Sequence, residues 1–164
     1  MMTVRTVLNT MWDRAAVVLA TGLGIGFFPV APGTAGTLLA VPVAWGLHEI
    51  EPMPRGVVVL LLIMIGIPIC TRAGRVLAKK DPGEIVFDEI AAFQILFLGI
   101  PWNVTTAALG FLLFRLFDVT KVWPAKRLEH LPEGLGIIAD DVAAAIYATA
   151  VLGVIVYFLP ATWM

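Results

Sequence analysis

The sequence predicts an all-α membrane protein, a bundle of about five short hydrophobic helices preceded by an N-terminal helix at the membrane interface. Hydrophobic residues make up 60% of the chain and charged residues 14%, whereas soluble domains are about one half apolar and one quarter charged. Mean hydropathy is +0.94. The apolar residues also fall in runs separated by short polar turns, a pattern typical of a polytopic helical bundle.

The size and charge of the chain restrict its organisation and its partners. Its 164 residues predict one domain over residues 1–164. The net charge of −1 argues against a nucleic-acid partner, because no strong field steers the whole molecule toward a polyanion. Cys70 is the single cysteine, so an internal disulfide is excluded. A soluble protein with a large core is the alternative that this composition disfavours.

The N-terminal part of the chain divides into two segments. Residues 1–14 are short and polar and predict an interfacial helix with Met11 and Trp12 on its apolar side. Residues 15–30 are apolar but rich in glycine. Because the full nucleotide-binding fingerprint is absent, this second segment favours close helix packing or a re-entrant turn over a phosphate loop.

The hydrophobic spans follow from the turns between them. A Pro-Gly-Thr-Ala-Gly-Thr turn over residues 32–37 opens the first span, and Thr34 or Thr37 is expected to cap it. Gly134 and Gly136 are expected to break the chain, so that Asp140 and Asp141 open the last apolar run. The later spans are predicted over residues 56–71, 84–100, 104–117 and 142–158.

The distribution of lysine and arginine predicts the orientation of the bundle. Basic residues lie in the N-terminal segment, in the loop over residues 72–80 and in the loop over residues 118–138. The turns on the other side carry only Arg55. By the positive-inside rule, the N-terminus and both basic loops are cytoplasmic.

This orientation brings the ionisable residues of several spans to one membrane face. Arg115, Asp118 and Lys121 follow one another at intervals of three residues, which places them on one side of a helix or of its terminal turn. The turn over residues 32–37 opens at the same face. The acids expected there are Asp88, Glu89, Asp118, Asp140 and Asp141.

Five converging carboxylates need a counter-charge, and a hard divalent cation such as Mg²⁺ suits a site that also holds phosphate oxygens. Arg115 and Lys121 are candidates to bind a phosphate. The start of the first span, with Thr34 and Thr37, is a further candidate phosphate site. His130 lies in the same loop and is either a proton donor or merely exposed. Taken singly, these features also have structural explanations, such as acids placed at helix starts or an Arg115–Asp118 ion pair.

Four motifs carry a resemblance to a known family. The segments PGTAGT, IVFDEIAAF, FRLFDVTKVWP and GLGIIADD occur in order, and together they resemble phosphatidylglycerophosphatase A, a family of bacterial inner-membrane lipid phosphatases. The resemblance implies Mg²⁺-dependent removal of the terminal phosphate from phosphatidylglycerophosphate, giving phosphatidylglycerol. By this resemblance, three charged motifs of the family correspond to residues of this chain. They are Asp88 and Glu89; Arg115, Asp118 and Lys121; and Asp140 and Asp141.

Metal-assisted hydrolysis is the mechanism that we expect. The acids expected to hold one or two Mg²⁺ ions are Asp88, Glu89, Asp140 and Asp141. Glu89 or Asp118 would orient the attacking water or a ligand, while Arg115 and Lys121 neutralise the phosphate oxygens. The expected catalytic residues are Asp88, Glu89, Asp118 and Asp141. Direct attack by an aspartate on phosphorus is the alternative.

Two other functions are open at this stage. The first is a phosphatase for another lipid or prenyl phosphate, because phosphate chemistry is shared and contacts to the headgroup are not readable. The second is a small ion transporter or channel, since ionisable residues inside membranes often mark ion pathways. The small-residue patches over residues 20–26 and 143–150 can pack helices within one chain or between chains.

Overall fold

The computed structural model describes residues 10–78 and 82–158, and the regular elements of this part are all helical. The all-α fold class is therefore confirmed. Single 3₁₀ turns cover Ile25–Phe27 and Gln94–Leu98. The α-helices are α1 (Met11–Ala20), α2 (Pro32–His48), α3 (Pro52–Leu77), α4 (Phe87–Phe93), α5 (Val104–Thr120), α6 (Ala125–Leu128) and α7 (Gly134–Phe158).

Helix α1 begins with a capping box and is anchored to α3 by an ion pair between a buried aspartate and a partly exposed arginine. The Thr10 side chain accepts a hydrogen bond from the Asp13 backbone, and the Asp13 carboxylate accepts one from the Thr10 backbone. The same carboxylate pairs with Arg72 of α3. Burial works to raise the pKa of Asp13, but the hydrogen bonds from Thr10 and Arg72 outweigh it and lower the pKa. Residues 1–9 of the predicted interfacial helix lie outside the described residues.

The glycine-rich segment after α1 forms turns that pack against the chain entering α4. Gly22 and Gly24 have positive φ angles, a conformation that glycine adopts readily. A Cβ added at Gly26 would overlap the Glu84 carbonyl oxygen. The Val86 amide also donates to the Ala20 carbonyl at 2.9 Å. These close approaches hold the start of α4 against the end of α1.

Helices α3 and α7 are, within the described residues, the two that are long and apolar enough to cross a membrane by length and composition. Helices α2 and α5 have 17 residues each and reach only about 25 Å at 1.5 Å per residue. The outer face of α3 exposes large apolar side chains, as a lipid-facing surface does. They include Leu60, Leu61, Met64 and Ile65.

Three predictions about the helices are wrong. Residues 84–100 are not one continuous span, because α4 ends at Phe93 and a 3₁₀ turn follows it. The last helix begins at Gly134 rather than near residue 142, so Asp140 and Asp141 lie inside α7. No side chain caps α2, whose N-cap is Ala31. The Thr37 hydroxyl instead donates back to the Gly33 carbonyl at 3.0 Å.

The early start of α7 has a tertiary cause. The Gly134 amide donates to the Thr71 hydroxyl of α3 at 3.0 Å. A Cβ at Gly134 would overlap the Ile67 carbonyl oxygen and lie 2.6 Å from the Thr71 nitrogen. Glycine therefore serves close packing of α7 on α3 here, and it does not interrupt the helix.

Helix α4 lies at the centre of the bundle, where it packs against α2, α3 and α7. Its last residue, Phe93, is fully buried, with the ring of Phe114 edge-on at a centroid distance of 5.6 Å and that of Phe97 at the same distance. Aromatic packing of this kind fixes the position of the short helix. The first turn of α4, which carries Asp88 and Glu89, is thereby held in place.

Substituting Gly134 by alanine tests the close packing of α7 on α3. We expect Gly134→Ala to destabilise the fold by about 1–3 kcal/mol, the usual cost of overpacking. Gly153→Ala on the same helix is the control, because a Cβ there meets no atom within 4 Å and alanine favours a helix by up to about 1 kcal/mol. Thermal unfolding in detergent measures both variants. Equal effects of the two substitutions would contradict the packing.

Candidate functional site

The charged residues singled out in the sequence surround one cavity of about 250 Å³ at one end of the bundle. Helix α2 contributes its first turn, α4 its first turn, α5 its last turn and α7 its second turn. The charged residues that line the cavity are Asp88, Glu89, Arg115, Asp118, Lys121, Asp140 and Asp141. Residues from four helices that are distant in the sequence are thus brought together.

The first turn of α2 packs directly against the Glu89 carboxylate. A Cβ at Gly33 would overlap Glu89 Oε1, and one at Gly36 would lie 2.8 Å from Glu89 Oε2. The two glycines of the PGTAGT motif therefore make room for a buried acid. A carboxylate at the N-terminus of a helix also interacts favourably with the helix dipole.

Arg115 connects three helices through its guanidinium group. Its Nη1 nitrogen lies 3.1 Å from Glu89 Oε1 of α4 and pairs with Asp118 of α5. The same nitrogen lies 3.4 Å from the hydroxyl of Thr37 on α2. Because a guanidinium carries five N–H donors, these contacts through one nitrogen do not exhaust its capacity to bind an anion.

Lys121 is held between two carboxylates at the end of α5. It has a φ of 44°, in the left-handed region that residues with a side chain rarely adopt, and its Nζ lies 2.7 Å from Asp140 Oδ2 and 2.8 Å from Glu129 Oε2. Burial works to lower the pKa of Lys121, but these hydrogen bonds outweigh it and raise the pKa. The hydrogen bond to Lys121 also lowers the pKa of Glu129. Lys121 is therefore a fixed positive charge.

Among the described residues that line the cavity, five carboxylates face two cations, so the negative charges are in excess. Asp141 is 3% exposed, and its Oδ2 atom is buried without a hydrogen-bond partner among the described residues. Buried oxygens that lack a donor fit a cation ligand. In the same part of the chain, no three His, Cys, Asp or Glu side chains are placed to hold one metal ion between them. A site for Mg²⁺ would therefore be of the open kind, completed by water and phosphate oxygens.

Three predicted residues do not line the cavity. Thr34 is exposed on α2. Thr37 is fully buried behind Arg115, so it contacts the guanidinium group and not the open space. His130 is exposed, and its Nδ1 atom lies 2.9 Å from the Lys126 carbonyl. The proton-donor role considered for His130 has no support from this placement.

Two features of the site were not predicted from the sequence. Glu129 was missed as a partner of Lys121, because it is one of several acids in a polar loop and no helical spacing connects the two. The glycines at positions 33 and 36 were read as turn residues, whereas they make space for Glu89. Their spacing of three residues places both glycines on one helix face, and this spacing could have predicted a close approach of another group to that face.

Comparison with known proteins agrees with the resemblance of the motifs. Residues 18–156 match the sequence model of the family described as Phosphatidylglycerophosphatase A. A phosphatidylglycerophosphatase A of Escherichia coli is 34% identical over 89% of this chain and 84% of its own length. One of Haemophilus influenzae is 36% identical over 87% and 89%, respectively.

A protein of Bacteroides thetaiotaomicron with the provisional name phosphatidylinositol-3-phosphatase is 33% identical over 84% of this chain and 91% of its own length. No solved structure matches the chain. The relatives therefore carry two different lipid-phosphatase names.

Double-mutant cycles test the ion pairs of Lys121. The Asp140 side chain is 10% exposed and that of Glu129 is 31% exposed. We expect a coupling energy above about 1 kcal/mol between Lys121→Met and Asp140→Asn, and a smaller one between Lys121→Met and Glu129→Gln, because water screens the more exposed pair. Chemical unfolding in detergent measures both cycles. A larger coupling to Glu129 would contradict this arrangement.

Proposed function

Because the chain belongs to the phosphatidylglycerophosphatase A family, and is therefore a phosphoric monoester hydrolase, we propose that it hydrolyses phosphatidylglycerophosphate to phosphatidylglycerol and phosphate. The reaction depends on Mg²⁺ and takes place at the cytoplasmic face of a bacterial inner membrane. The observation that supports the proposal is that the acids of the family's motifs line the same cavity as Arg115 and Lys121.

Arg115 and Lys121 bind the terminal phosphate. Both face the cavity, and both are held in position by carboxylates behind or beside them. Arg115 has further N–H donors for two phosphate oxygens, and Lys121 contributes a point charge. Held at fixed positions, these groups stabilise the charge of the transition state without first having to reorganise.

Mg²⁺ is required because the excess carboxylates of the cavity would otherwise repel the negatively charged phosphate monoester. Asp141, with its buried unpartnered oxygen, is the primary candidate ligand. Asp88, Asp140 and Glu89 line the same space and complete the acidic side of the site. When bound, Mg²⁺ supplies Lewis-acid stabilisation of the phosphoryl oxygens.

A carboxylate beside the phosphate orients the attacking water. Asp118 and Glu89 are both placed for this role, because each lines the cavity and each pairs with Arg115. Their contacts with Arg115 fix the two carboxylates relative to the phosphate that Arg115 binds. Positioning of this kind contributes to the rate by removing the need to order the reactants.

A position at the inner membrane accounts for the apolar surface and for the placement of the cavity. Helices α3 and α7 have the length and composition to cross a bilayer, and we propose that the remaining hydrophobic helices make the protein multi-pass. The excess of basic residues in the N-terminal segment, over residues 72–80 and over residues 118–138 supports a cytoplasmic location for the N-terminus and the cavity, although Arg72 and Arg75 lie in the last turns of α3 and not in a loop. The substrate's headgroup would enter from that face.

Hydrolysis of another lipid phosphate is the second candidate function. The Bacteroides relative whose provisional name is a phosphoinositide phosphatase favours it, because the cavity recognises phosphate and no contact identifies the rest of the headgroup. Prenyl phosphates belong to the same alternative. A panel of lipid phosphates presented in mixed micelles separates these substrates by kcat/KM. The ion-transport alternative has no counterpart among the relatives.

Phosphate release from phosphatidylglycerophosphate tests the proposed reaction. We expect purified protein in detergent to release phosphate with Mg²⁺ and not with EDTA. Asp141→Asn is expected to lower kcat on the order of a hundredfold, as loss of a group that acts on the transition state does. The matched control is Glu133→Gln, which removes an exposed acid outside this cavity and should keep activity. A fully active, folded Asp141→Asn variant would refute the acidic site.

Acid trapping tests the identity of the nucleophile. With substrate labelled in its terminal phosphate, direct attack by water leaves no label on the protein after a rapid acid quench. An aspartyl-phosphate would instead appear as a labelled protein band during turnover. We expect no band, and a band that is lost on substitution of one cavity aspartate would replace water attack with covalent catalysis.

A further inference from the structure

A second concavity lies on the outer face of the bundle, between α2 and α5. It has a volume of about 470 Å³, and the described residues that line it are all apolar or aromatic. Leu38 and Leu112 protrude at its walls, each with 63% of its surface exposed. The small side chains of Ala107 and Ala108 lie between larger neighbours and leave the groove open. The groove can therefore accept hydrocarbon but offers no site for a charged group.

The groove and the candidate active site lie along the same two helices. Helix α2 begins at the charged cavity and α5 ends there, so the two helices run antiparallel. At one end Thr37 of α2 lies 3.4 Å from Arg115 of α5. At the other end the ring of Trp45 lies 6.2 Å from that of Trp102, two residues before α5. The apolar groove occupies the length between these two contacts.

The far end of the groove lies about the depth of one lipid leaflet from Arg115. Leu112, at the near end of the groove, is about one turn from Arg115. Val104, at the far end, is about 16 Å from Arg115 along the axis of α5 at 1.5 Å per residue. Half of the hydrocarbon core of a bilayer is about 15 Å thick. A lipid with its phosphate at Arg115 has an acyl chain of suitable reach for this groove.

We propose that the α2–α5 groove binds an acyl chain of the lipid substrate while its phosphate occupies the charged cavity. This inference rests on the proposed function, since it takes the ligand in the cavity to be a lipid phosphate. The acyl chain would contribute equally to binding of the substrate and of the transition state, because it lies far from the reacting phosphorus. Its loss should therefore raise KM and leave kcat unchanged.

Ala108→Phe tests the groove by filling it, and Ala150→Phe is the matched control. Ala150 is an exposed residue of α7 outside the groove, so the control makes the same change on another apolar surface. Each variant is assayed on phosphatidylglycerophosphate with dioleoyl chains and with dihexanoyl chains. We expect Ala108→Phe to raise KM for the dioleoyl substrate about tenfold, the effect of losing on the order of ten van der Waals contacts between the acyl chain and the groove. KM for the dihexanoyl substrate should change much less.

The possible outcomes separate the groove from the reaction itself. Unchanged KM for both substrates, or an equal change for both, would overturn the proposal that the groove binds an acyl chain. The proposed phosphatase activity would not be affected. Wild-type protein that hydrolyses neither substrate would instead refute the proposed function and this inference with it. Leu112→Ala provides a second variant if Ala108→Phe does not fold, and it should raise KM for the long-chain substrate by removing one wall.

Photo-crosslinking provides a measurement that does not depend on turnover. The probe is phosphatidylglycerophosphate with a diazirine near the middle of one acyl chain, bound to wild-type protein in detergent. We expect labelled peptides from α2 and α5 that excess unlabelled phosphatidylglycerophosphate suppresses, whereas excess phosphatidylcholine does not. Labelling spread evenly over the apolar surfaces, or suppressed equally by both lipids, would show occupancy by bulk lipid and overturn the proposal.

Discussion

The guanidinium group of Arg115 is the interaction on which the architecture of the site depends. It joins Thr37 of α2, Glu89 of α4 and Asp118 of α5 through a single nitrogen. This contact requires Glu89 to lie against the backbone of α2, which is possible because Gly33 and Gly36 have no side chains. A change at any of these positions would alter the relative placement of three helices, so packing and electrostatics constrain the same residues.

The second cation, Lys121, has a comparable role at the other side of the cavity. Its contacts with Asp140 and Glu129 connect the end of α5 to α7 and to the loop that contains α6. Among the described residues of the cavity, the acids outnumber these two cations, and this negative excess suits a divalent ion. In the account proposed above, the protein's cations recognise phosphate and its surplus carboxylates hold Mg²⁺. Ion pairs hold the two cations in position before a ligand arrives, as electrostatic preorganisation requires.

The sequence predicted the helical class and the convergence of the charged residues, because composition and the positions of lysine and arginine depend little on tertiary detail. It did not predict that α7 begins at Gly134, since the hydrogen bond to Thr71 and the close approach to Ile67 are contacts with a distant helix. The break after Phe93 was missed for a similar reason, because an apolar run has the same composition in one helix or two short ones. Contacts across the fold likewise determine the partner of Lys121.

The most direct measurement of the central claim is an experimental structure of the protein with Mn²⁺ and an unreactive phosphonate analogue of phosphatidylglycerophosphate. Mn²⁺ shares the oxygen ligands of Mg²⁺ and gives an anomalous signal. The account predicts an ion in contact with Asp141 and a phosphonate in contact with Arg115 and Lys121, both inside the cavity that these residues line. A phosphonate bound elsewhere, or an ion remote from the acids, would contradict it.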